Sequence, residues 1–390
     1  MRILSGIQPS GELHIGNYFG MIKRMVENQQ NGELFAFIVN YHAMTSLSDG
    51  KALRTNTLNA AVNMLSLGID PEKSVFWAQS DLPEVLELYW ILSNFTPMGL
   101  LERAHSYKDK TAKGIAANHG LFSYPVLMAA DILLFNADMV PVGKDQIQHV
   151  EITRDIALKF NNEYGEIFRL PTASIDDDVA TVPGTDGAKM SKSYKNTIEM
   201  FDDEKTLKKR VNSIVTDSTP VEDPKDPEKC NVFALLKLFS TPSELAEYKE
   251  RYEKGGEGYG IFKAELKDKI LKYFEPYKEK REYYLGKPDE VRDILRAGAS
   301  KARQKAEPIM QKVKEAVGVL ENMVKVTIEK RCGCFTREGL EGTYEFETKP
   351  DADKKVAELL DLMNNKFCGK HKFKKQETAN EIVIVEDEEA

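Results

Sequence analysis

The amino-terminal part of the chain alternates strand patterns with helix patterns, and this alternation limits the fold more than any other feature. Apolar strand patterns at residues 3–7, 34–39 and 75–77 are separated by two amphipathic helical patterns. The second helix ends at Gly68, a residue that tolerates the positive φ that closes a helix. Because strands that alternate with helices pair in parallel, we predict an α/β fold with a doubly wound parallel sheet.

The rest of the chain shows three further patterns. Mainly helical sequence at residues 84–124 predicts a helical insertion before the sheet resumes at residues 140–143. Helical patterns dominate beyond residue 199, and the last part combines alternating stretches, a helix and a strand at residues 382–385. The predicted domains are an α/β domain with a helical insertion (1–198), a helical carboxy-terminal domain (199–320) and a small, β-rich α+β appendage (321–390).

Composition excludes several classes of protein. Hydrophobic residues make up 42% and charged residues 30% of the chain, as in ordinary globular proteins. No apolar run approaches the roughly 20 residues of a membrane span, and no targeting segment is recognisable, so we expect a cytoplasmic protein without a membrane partner. Four cysteines are too few for a disulfide framework. A net charge of −8 argues against general binding of phosphate backbones, so any nucleic acid must meet a local basic surface.

A first motif lies between the first strand and its following helix, at residues 5–17: Ser-Gly-Ile-Gln-Pro-Ser-Gly-Glu-Leu-His-Ile-Gly-Asn. Doubly wound sheets bind ligands at such strand-to-helix turns. Gly16 lets a bulky group approach the start of the helix, and the free amides there favour phosphate. His14 and Asn17 can both donate to phosphate oxygens. The alternative is a strand-to-helix turn with an incidental histidine, although the chain has no P-loop and no complete Gly-x-Gly-x-x-Gly.

A second motif, Lys-Met-Ser-Lys-Ser at residues 189–193, ends a loop rich in turn residues that begins at Pro183. Such a loop is flexible enough to close over a triphosphate. The ammonium groups of Lys189 and Lys192 can neutralise the charge that develops on leaving pyrophosphate. The alternative is a solvated linker.

These two motifs resemble the two signatures of the class I aminoacyl-tRNA synthetases, in the same order on a Rossmann-like domain. The flanking residues 6–11 and 16–18 are similar to the bacterial type of the tryptophanyl-tRNA synthetase family. The resemblance covers residues 1–320. It implies ATP-dependent activation of L-tryptophan to tryptophanyl-adenylate, transfer to tRNA(Trp), a helical domain that binds the anticodon, and a homodimer.

A third stretch, Tyr124–Leu133, bears on the choice of amino acid. Asp131 stands alone in an apolar helix, so its carboxylate should be buried and needs a hydrogen-bond donor. In the family the corresponding aspartate accepts the indole N–H of tryptophan. Phenylalanine would leave that carboxylate unpaired, which would explain its rejection. The alternative is a capping or surface aspartate.

The resemblance also implies three sets of site residues. The catalytic set places donors and positive charge on the triphosphate: His14, Asn17, Lys110, Lys189 and Lys192. The ATP-binding set adds the residues that surround the nucleotide: Gln8, Pro9, Ser10, Gly16, Asn17, Gly143, Lys144, Asp145, Lys189, Met190, Ser191, Lys192 and Ser193. The tryptophan-binding set lines the amino-acid pocket: Leu4, His42, Tyr124, Met128, Asp131 and Gln146. Lys144 departs from the acidic residue of the family, so a backbone contact is expected there. Leu4 stands where a bulkier aromatic also occurs.

The implied reaction needs no covalent enzyme intermediate. The tryptophan carboxylate attacks the α-phosphorus of ATP in line, and pyrophosphate leaves. Mg²⁺ would share the charge with the protein side chains, and no protein ligand for a metal is expected at the catalytic site.

The helical domain contains a basic run, Lys263, Lys267, Lys269 and Lys272, followed by Tyr273 and Phe274. Lysines beside aromatic rings offer charge and stacking surfaces to RNA. The alternative is a solvated amphipathic face.

Cysteines are concentrated in the appendage. Cys332 and Cys334, together with Cys368 and His371, could form a tetrahedral zinc site, although the spacing is not a standard one. The lysines at residues 366–375 could instead serve RNA.

Three other functions remain open from the residues alone. A tyrosyl-tRNA synthetase has a similar frame, but its pocket must pair a phenol rather than an indole. A small adenylyltransferase shares the first motif but lacks the lysine loop. A catalytically silent RNA-binding derivative would keep the frame without needing the charged residues of both motifs.

Overall fold

The computed structural model describes residues 1–9, 11–104, 118–143, 146–174, 182–320, 324–329, 333–346, 348–367, 371–378 and 381–387. The chain forms two compact units, Met1–Met310 and Gln311–Ala390. In the part of the chain that is described, no helix is both long and apolar enough to cross a membrane.

The strands fall into two groups, one in each unit. The strands of the first unit are β1 (Arg2–Ile7), β2 (Glu33–Ile38), β3 (Val75–Ala78), β4 (Met139–Pro141) and β5 (Thr172–Ser174). The strands of the second unit are β6 (Val324–Ile328), β7 (Thr343–Phe346), β8 (Phe373–Glu377) and β9 (Glu381–Glu386).

Helices connect these strands and follow the first sheet. The helices before residue 200 are α1 (Ile15–Asn17), α2 (Lys23–Asn28), α3 (Asn40–Ala43), α4 (Gly50–Ser66), α5 (Glu84–Ser93), α6 (Met98–Glu102), α7 (His119–Leu133) and α8 (Ile147–Tyr164). The later helices are α9 (Glu204–Asn212), α10 (Asn231–Phe239), α11 (Pro242–Lys254), α12 (Tyr259–Leu285), α13 (Pro288–Ala316), α14 (Gly333–Arg337) and α15 (Lys349–Asn365). A π-helical turn, Tyr18–Ile22, joins α1 to α2.

The first sheet is parallel throughout, in the order β3-β2-β1-β4-β5. This is the order of a doubly wound Rossmann-like sheet, as predicted. The chain passes from β1 to β2 on one side of β1, and it later returns from β3 to β4 on the other side of β1. A crevice therefore opens beyond the carboxyl ends of β1 and β4, and ligands bind at this position in such sheets. The first motif begins there.

Local sequence explains where the elements begin and end. Every residue of β3 is buried, although β3 is an edge strand of the sheet, as expected when a parallel sheet is covered on both faces. Helix α4 begins where the Asp49 side chain accepts the N–H groups of Lys51 and Ala52, and the chain turns at Gly68, whose φ is +115°.

The later helices of the first unit share a hydrophobic core with the sheet. Ile3 on β1, Val211 on α9 and Phe262 on α12 belong to one buried cluster. The basic run on α12 and the aromatic residues that follow it have mixed environments, and Lys272 is exposed. Phe274 is 2% exposed, and Lys267 and Lys269 pair with Glu204 and Glu244. Phe274 is therefore part of the core, and no stacking surface for RNA is formed by it.

The appendage has its own mixed sheet, in the order β7-β6-β9-β8. Strand β6 pairs in parallel with β9, and the other two pairs are antiparallel. Helix α15 packs on the sheet through Val356, Leu359 and Met363. The sequence patterns predicted β6, β7, β9 and α15 but not β8 or α14. The proposed division of residues 1–320 into two functional domains stays a prediction.

Candidate active site

His14 starts the helix that follows the first strand, and it does so as a capping residue. Its Nδ1 accepts the backbone N–H of Asn17 at 3.3 Å, while the Asn17 Oδ1 accepts the backbone N–H of His14 at 3.1 Å. Because Nδ1 accepts, the proton of the neutral imidazole is on Nε2. Asn17 uses its carbonyl oxygen in the cap, and its Nδ2 supplies donors. Both side chains thus present the polarity that a phosphate needs.

The second motif is attached to the first by backbone hydrogen bonds. The Ile15 N–H donates to the Ile198 carbonyl at 3.0 Å, and the Met200 N–H donates to the Leu13 carbonyl at 3.5 Å. These bonds place residues 198–200 alongside the start of helix α1. The lysine loop directly precedes that segment. The two motifs are therefore neighbours.

Side-chain contacts confirm that the two motifs adjoin. A β-carbon at Gly16 would lie 3.3 Å from the Met190 Cβ, and one at Gly11 would lie 3.7 Å from the Lys192 Nζ. Gly11 has a φ of +90°, which favours glycine. The Lys192 ammonium therefore lies beside the turn that precedes His14.

The electrostatics of His14 and Lys192 are linked. Burial, and then the positive charge of Lys192, lower the pKa of His14 to about 4. Burial lowers the pKa of Lys192, and the charges of Glu199 and Glu12 oppose this change. His14 is thus a neutral donor near pH 7. Lys192 is a partly desolvated cation, and reduced contact with water would strengthen its attraction to an anionic group.

Asp131 lies on helix α7, is 4% exposed and accepts hydrogen bonds from two side chains. His42 Nε2 is 2.8 Å from its Oδ2, and Gln79 Nε2 is 2.9 Å from each carboxylate oxygen. Burial raises the pKa of Asp131, while the bonds from His42 and Gln79 act in the opposite direction. The buried carboxylate predicted from the sequence is present, with His42 directly beside it.

Tyr124 lies about two turns before Asp131 on the same face of helix α7, and its hydroxyl is held by a histidine. Its hydroxyl hydrogen-bonds to His149 Nε2, and its ring lies edge-on to His42 at 6.2 Å between centroids. Gln146 immediately precedes helix α8 and donates its backbone N–H to the Gly143 carbonyl at 2.9 Å. His42, Tyr124, Asp131 and His149 therefore form one cluster.

The remaining predicted residues have varied environments. Leu4 is buried on β1, Pro9 is buried, Met128 is half-buried and Gln8 is exposed. Lys189 and Ser193 are exposed, and Ser191 is half-buried. Met190 is 4% exposed and belongs to the hydrophobic core, so contact with ATP there would have to use its backbone. Several predicted residues lie outside the described part of the chain: Ser10, Lys110, Lys144 and Asp145.

The structure gives no support to the zinc site. Cys332 and Cys368 lie outside the described residues. Cys334 is buried and accepts a hydrogen bond from Arg337, and His371 pairs with Glu386. Within the described ranges, no group of three or more His, Cys, Asp or Glu side chains could hold a metal ion.

Three residues near the site were not predicted from the sequence. Gln79 follows β3, His149 lies on α8, and Asn196 follows the lysine motif. Gln79 could have been found from its position, because the carboxyl ends of neighbouring parallel strands meet at one edge of the sheet. No pattern in the sequence distinguishes His149 or Asn196.

Comparison with known proteins agrees with this geometry. The sequence model of the tRNA synthetases class I (W and Y) matches residues 1–275. The chain belongs to this family. Among its relatives are the tryptophan–tRNA ligases of Campylobacter jejuni (65% identical over 319 residues, covering 82% of this chain and 100% of the relative) and Fusobacterium nucleatum (54% identical over 323 residues, covering 83% and 99%).

Solved structures of the family share the fold. Tryptophanyl-tRNA synthetase from Campylobacter jejuni, in a complex with ADP and tryptophan, is 65% identical with a TM-score of 0.78 and covers 82% of this chain and 100% of that chain. The enzyme from Mycoplasma pneumoniae is 28% identical, with a TM-score of 0.69, and covers 81% and 97%.

Proposed function

We propose that this chain is a tryptophan–tRNA ligase, which activates L-tryptophan with ATP and transfers it to tRNA(Trp). Membership of the family and 65% identity to a tryptophan–tRNA ligase support the proposal. A relative that binds ADP and tryptophan supports both substrates. The observation that carries it is the hydrogen bonding of residues 198–200, which follow the lysine motif, to the His14 motif, together with the buried Asp131 carboxylate.

In this mechanism the protein contributes position and charge. ATP enters as its Mg²⁺ complex, and the tryptophan carboxylate attacks the α-phosphorus. His14 Nε2 and Asn17 Nδ2 donate to phosphate oxygens, and Gly16 gives the nucleotide access to the helix start. Lys189 and Lys192 stabilise the charge that accumulates on the leaving pyrophosphate. Lys110 is proposed to hold the triphosphate, and Gly143, Lys144 and Asp145 the ribose.

Asp131 selects tryptophan in this proposal. Its carboxylate accepts the indole N–H, while Leu4 and Met128 line the pocket and Tyr124 and Gln146 hold the amino and carboxylate groups. Amino acids without an N–H at that point cannot add this bond to those that His42 and Gln79 already make to the buried carboxylate, and the loss is proposed to cost roughly 10⁴-fold in kcat/KM.

We also propose that the enzyme is a homodimer in the cytoplasm. Leu86, Trp90 and Met98, on helices α5 and α6, are large apolar side chains exposed to solvent, and Trp90 is 70% exposed. Exposed apolar groups near one another are typical of subunit interfaces. Multi-angle light scattering tests this proposal, because a mass equal to one chain contradicts it.

ATP–pyrophosphate exchange tests the function. We expect tryptophan to support exchange, and tyrosine and phenylalanine to be at least about 10⁴-fold less effective. A tryptophan analogue in which sulfur replaces the indole N–H separates the hydrogen bond from the size of the ring, and it should be used poorly. Exchange with tyrosine alone would reassign the substrate. Absence of exchange with every amino acid would favour a catalytically silent RNA-binding derivative.

A further inference from the structure

Asn196 is a buried polar residue directly after the lysine motif. Its exposed fraction is 1%, although asparagine is usually found at the surface. A buried amide is costly unless its donors and acceptor are paired. The hydrogen-bond partners of the amide therefore show why an asparagine is suited to this position.

The Asn196 amide hydrogen-bonds to three points of the loop. Its Oδ1 accepts the backbone N–H of Ser191 at 2.7 Å. Its Nδ2 donates to the Asp186 Oδ1 at 2.7 Å and to the Lys189 carbonyl at 3.1 Å. The amide thus holds the backbone on both sides of Met190, between the two motif lysines.

The conformation of the surrounding backbone places the Asn196 side chain inside the lysine loop. A short turn, Lys192–Tyr194, ends at Lys195, whose φ of +55° is rare for a residue with a side chain. The Asn196 carbonyl then accepts the Thr185 N–H at 2.9 Å. A β-carbon at Gly184 would overlap the Asn196 side chain. Residues 184–191 are therefore packed around this one amide.

The same segment continues into the contact with the first motif. Two residues after Asn196, the Ile198 carbonyl accepts the Ile15 N–H. Asn196 consequently connects the backbone of the lysine loop to a strand segment that is already attached to the helix start at His14. A displacement of the loop relative to that helix would change the distance between the lysines and the triphosphate.

We propose that Asn196 is a positioning residue for adenylate formation, one that holds the backbone of residues 189–191 so that Lys189 and Lys192 meet the triphosphate. This inference rests on the proposed function. It assigns Asn196 no contact with ATP. Asn196 affects the step in which pyrophosphate leaves. Transfer of the activated amino acid to tRNA does not involve pyrophosphate.

The test compares the two half-reactions in Asn196→Ala. The exchange kcat should fall about 100-fold, as a displacement of about 1 Å at a catalytic group does, while the KM for ATP changes little. Transfer of tryptophan to tRNA from chemically synthesised tryptophanyl-adenylate should keep its wild-type rate. Equal losses in exchange and transfer, or an unchanged exchange kcat, overturn the inference.

Two further variants test the hydrogen bond between Asn196 and Asp186. Asn196→Asp retains the size of the side chain and the acceptor for Ser191, but it replaces the donor to Asp186 with a second acceptor. Its exchange kcat should also fall, and Asp186→Asn in the same chain should restore part of the rate, because a donor again faces an acceptor. Failure of that rescue contradicts the assigned contacts.

The matched control is Asn161→Ala. The Asn161 amide also holds a loop, because it donates to the Phe168 carbonyl at 2.7 Å and accepts the Phe168 N–H at 3.0 Å. Neither of these bonds involves a described residue of the two motifs. We expect its exchange kcat to stay close to wild type. If the wild-type enzyme itself gives no tryptophan-dependent exchange, the proposed function fails; if wild type is active and Asn196→Ala is equally active, only the inference fails.

Discussion

The backbone N–H of Ile15 donates to the carbonyl of Ile198 at 3.0 Å. This bond joins the first turn of helix α1 to the segment that follows the lysine loop, although the two residues are far apart in the sequence. Together with the closeness of Lys192 to Gly11, it gives the two motifs a fixed relationship. Burial, and then the positive charge of Lys192, lower the pKa of His14.

Lys192→Ala should lower the rate of tryptophan activation far more than the affinity for ATP. The ammonium is proposed to act on charge that develops only as pyrophosphate leaves, so we expect a loss of about 10²- to 10³-fold in the exchange kcat. The KM for ATP should stay within about 5-fold of wild type. Lys208→Ala, at an exposed position on helix α9, is the control. Equal losses in kcat and in affinity would contradict this role.

Gln79→Leu should weaken tryptophan binding selectively. The substitution removes the bonds to both oxygens of Asp131, each worth about 1.5 to 3 kcal/mol when the partner is charged. We expect the KM for tryptophan to rise at least about 10-fold and the KM for ATP to stay unchanged. Gln29→Leu is the control, because Gln29 bonds to the Gly68 carbonyl in the same unit and away from the pocket.

The same variant has a predicted pH dependence. Burial raises the pKa of Asp131, and Gln79 counteracts that effect by donating to the ionised form. Without Gln79 the pKa should rise further, so the carboxylate becomes protonated at a higher pH. As the pH falls, the KM for tryptophan should therefore start to increase earlier in Gln79→Leu than in the wild type. Parallel pH profiles for the two proteins would show that Gln79 does not control the ionisation.

His14 should make the protein less stable in mild acid. Its pKa is about 4 in the folded chain and about 6.5 when unfolded, so the unfolded state binds more protons between these values. The contribution of neutral His14 to the free energy of unfolding is complete above its unfolded-state pKa, and it is lost as the pH falls toward 4. From about pH 7 to about pH 5 the free energy of unfolding should drop by on the order of 2 kcal/mol more in wild type than in His14→Asn, which keeps a capping side chain. Urea unfolding measures this difference, and identical pH profiles would refute it.

The sheet was predictable because its strands are short apolar runs bounded by turns. Strands β1, β2 and β3 are buried almost throughout, so their residues are apolar at successive positions. Strand β8 was missed because only Phe373 is buried and the next four residues are exposed and polar. Such an edge strand gains its order from pairing with β9, and this pairing has no local signal.

The site was predictable only in part. His14, Lys192 and Asp131 stand in unusual local patterns, and resemblance to a family supplied their proposed roles. Gln79 and Asn196 acquire their partners only through the tertiary fold. Gln79 donates to the Asp131 carboxylate on helix α7. Asn196 can bond to its own loop because the preceding residue, Lys195, has a left-handed backbone conformation. Phe274 shows the opposite case. Its position beside a run of lysines suggested a ring exposed to RNA, but the structure buries the ring in the core.

A crystal structure with a non-hydrolysable ATP analogue tests the central claim most directly. The account predicts that oxygens of one triphosphate lie within about 3.2 Å of a donor from His14 or Asn17 and also of the Lys192 ammonium. A triphosphate that is held by one of these motifs while the other makes no contact with the nucleotide would contradict the account.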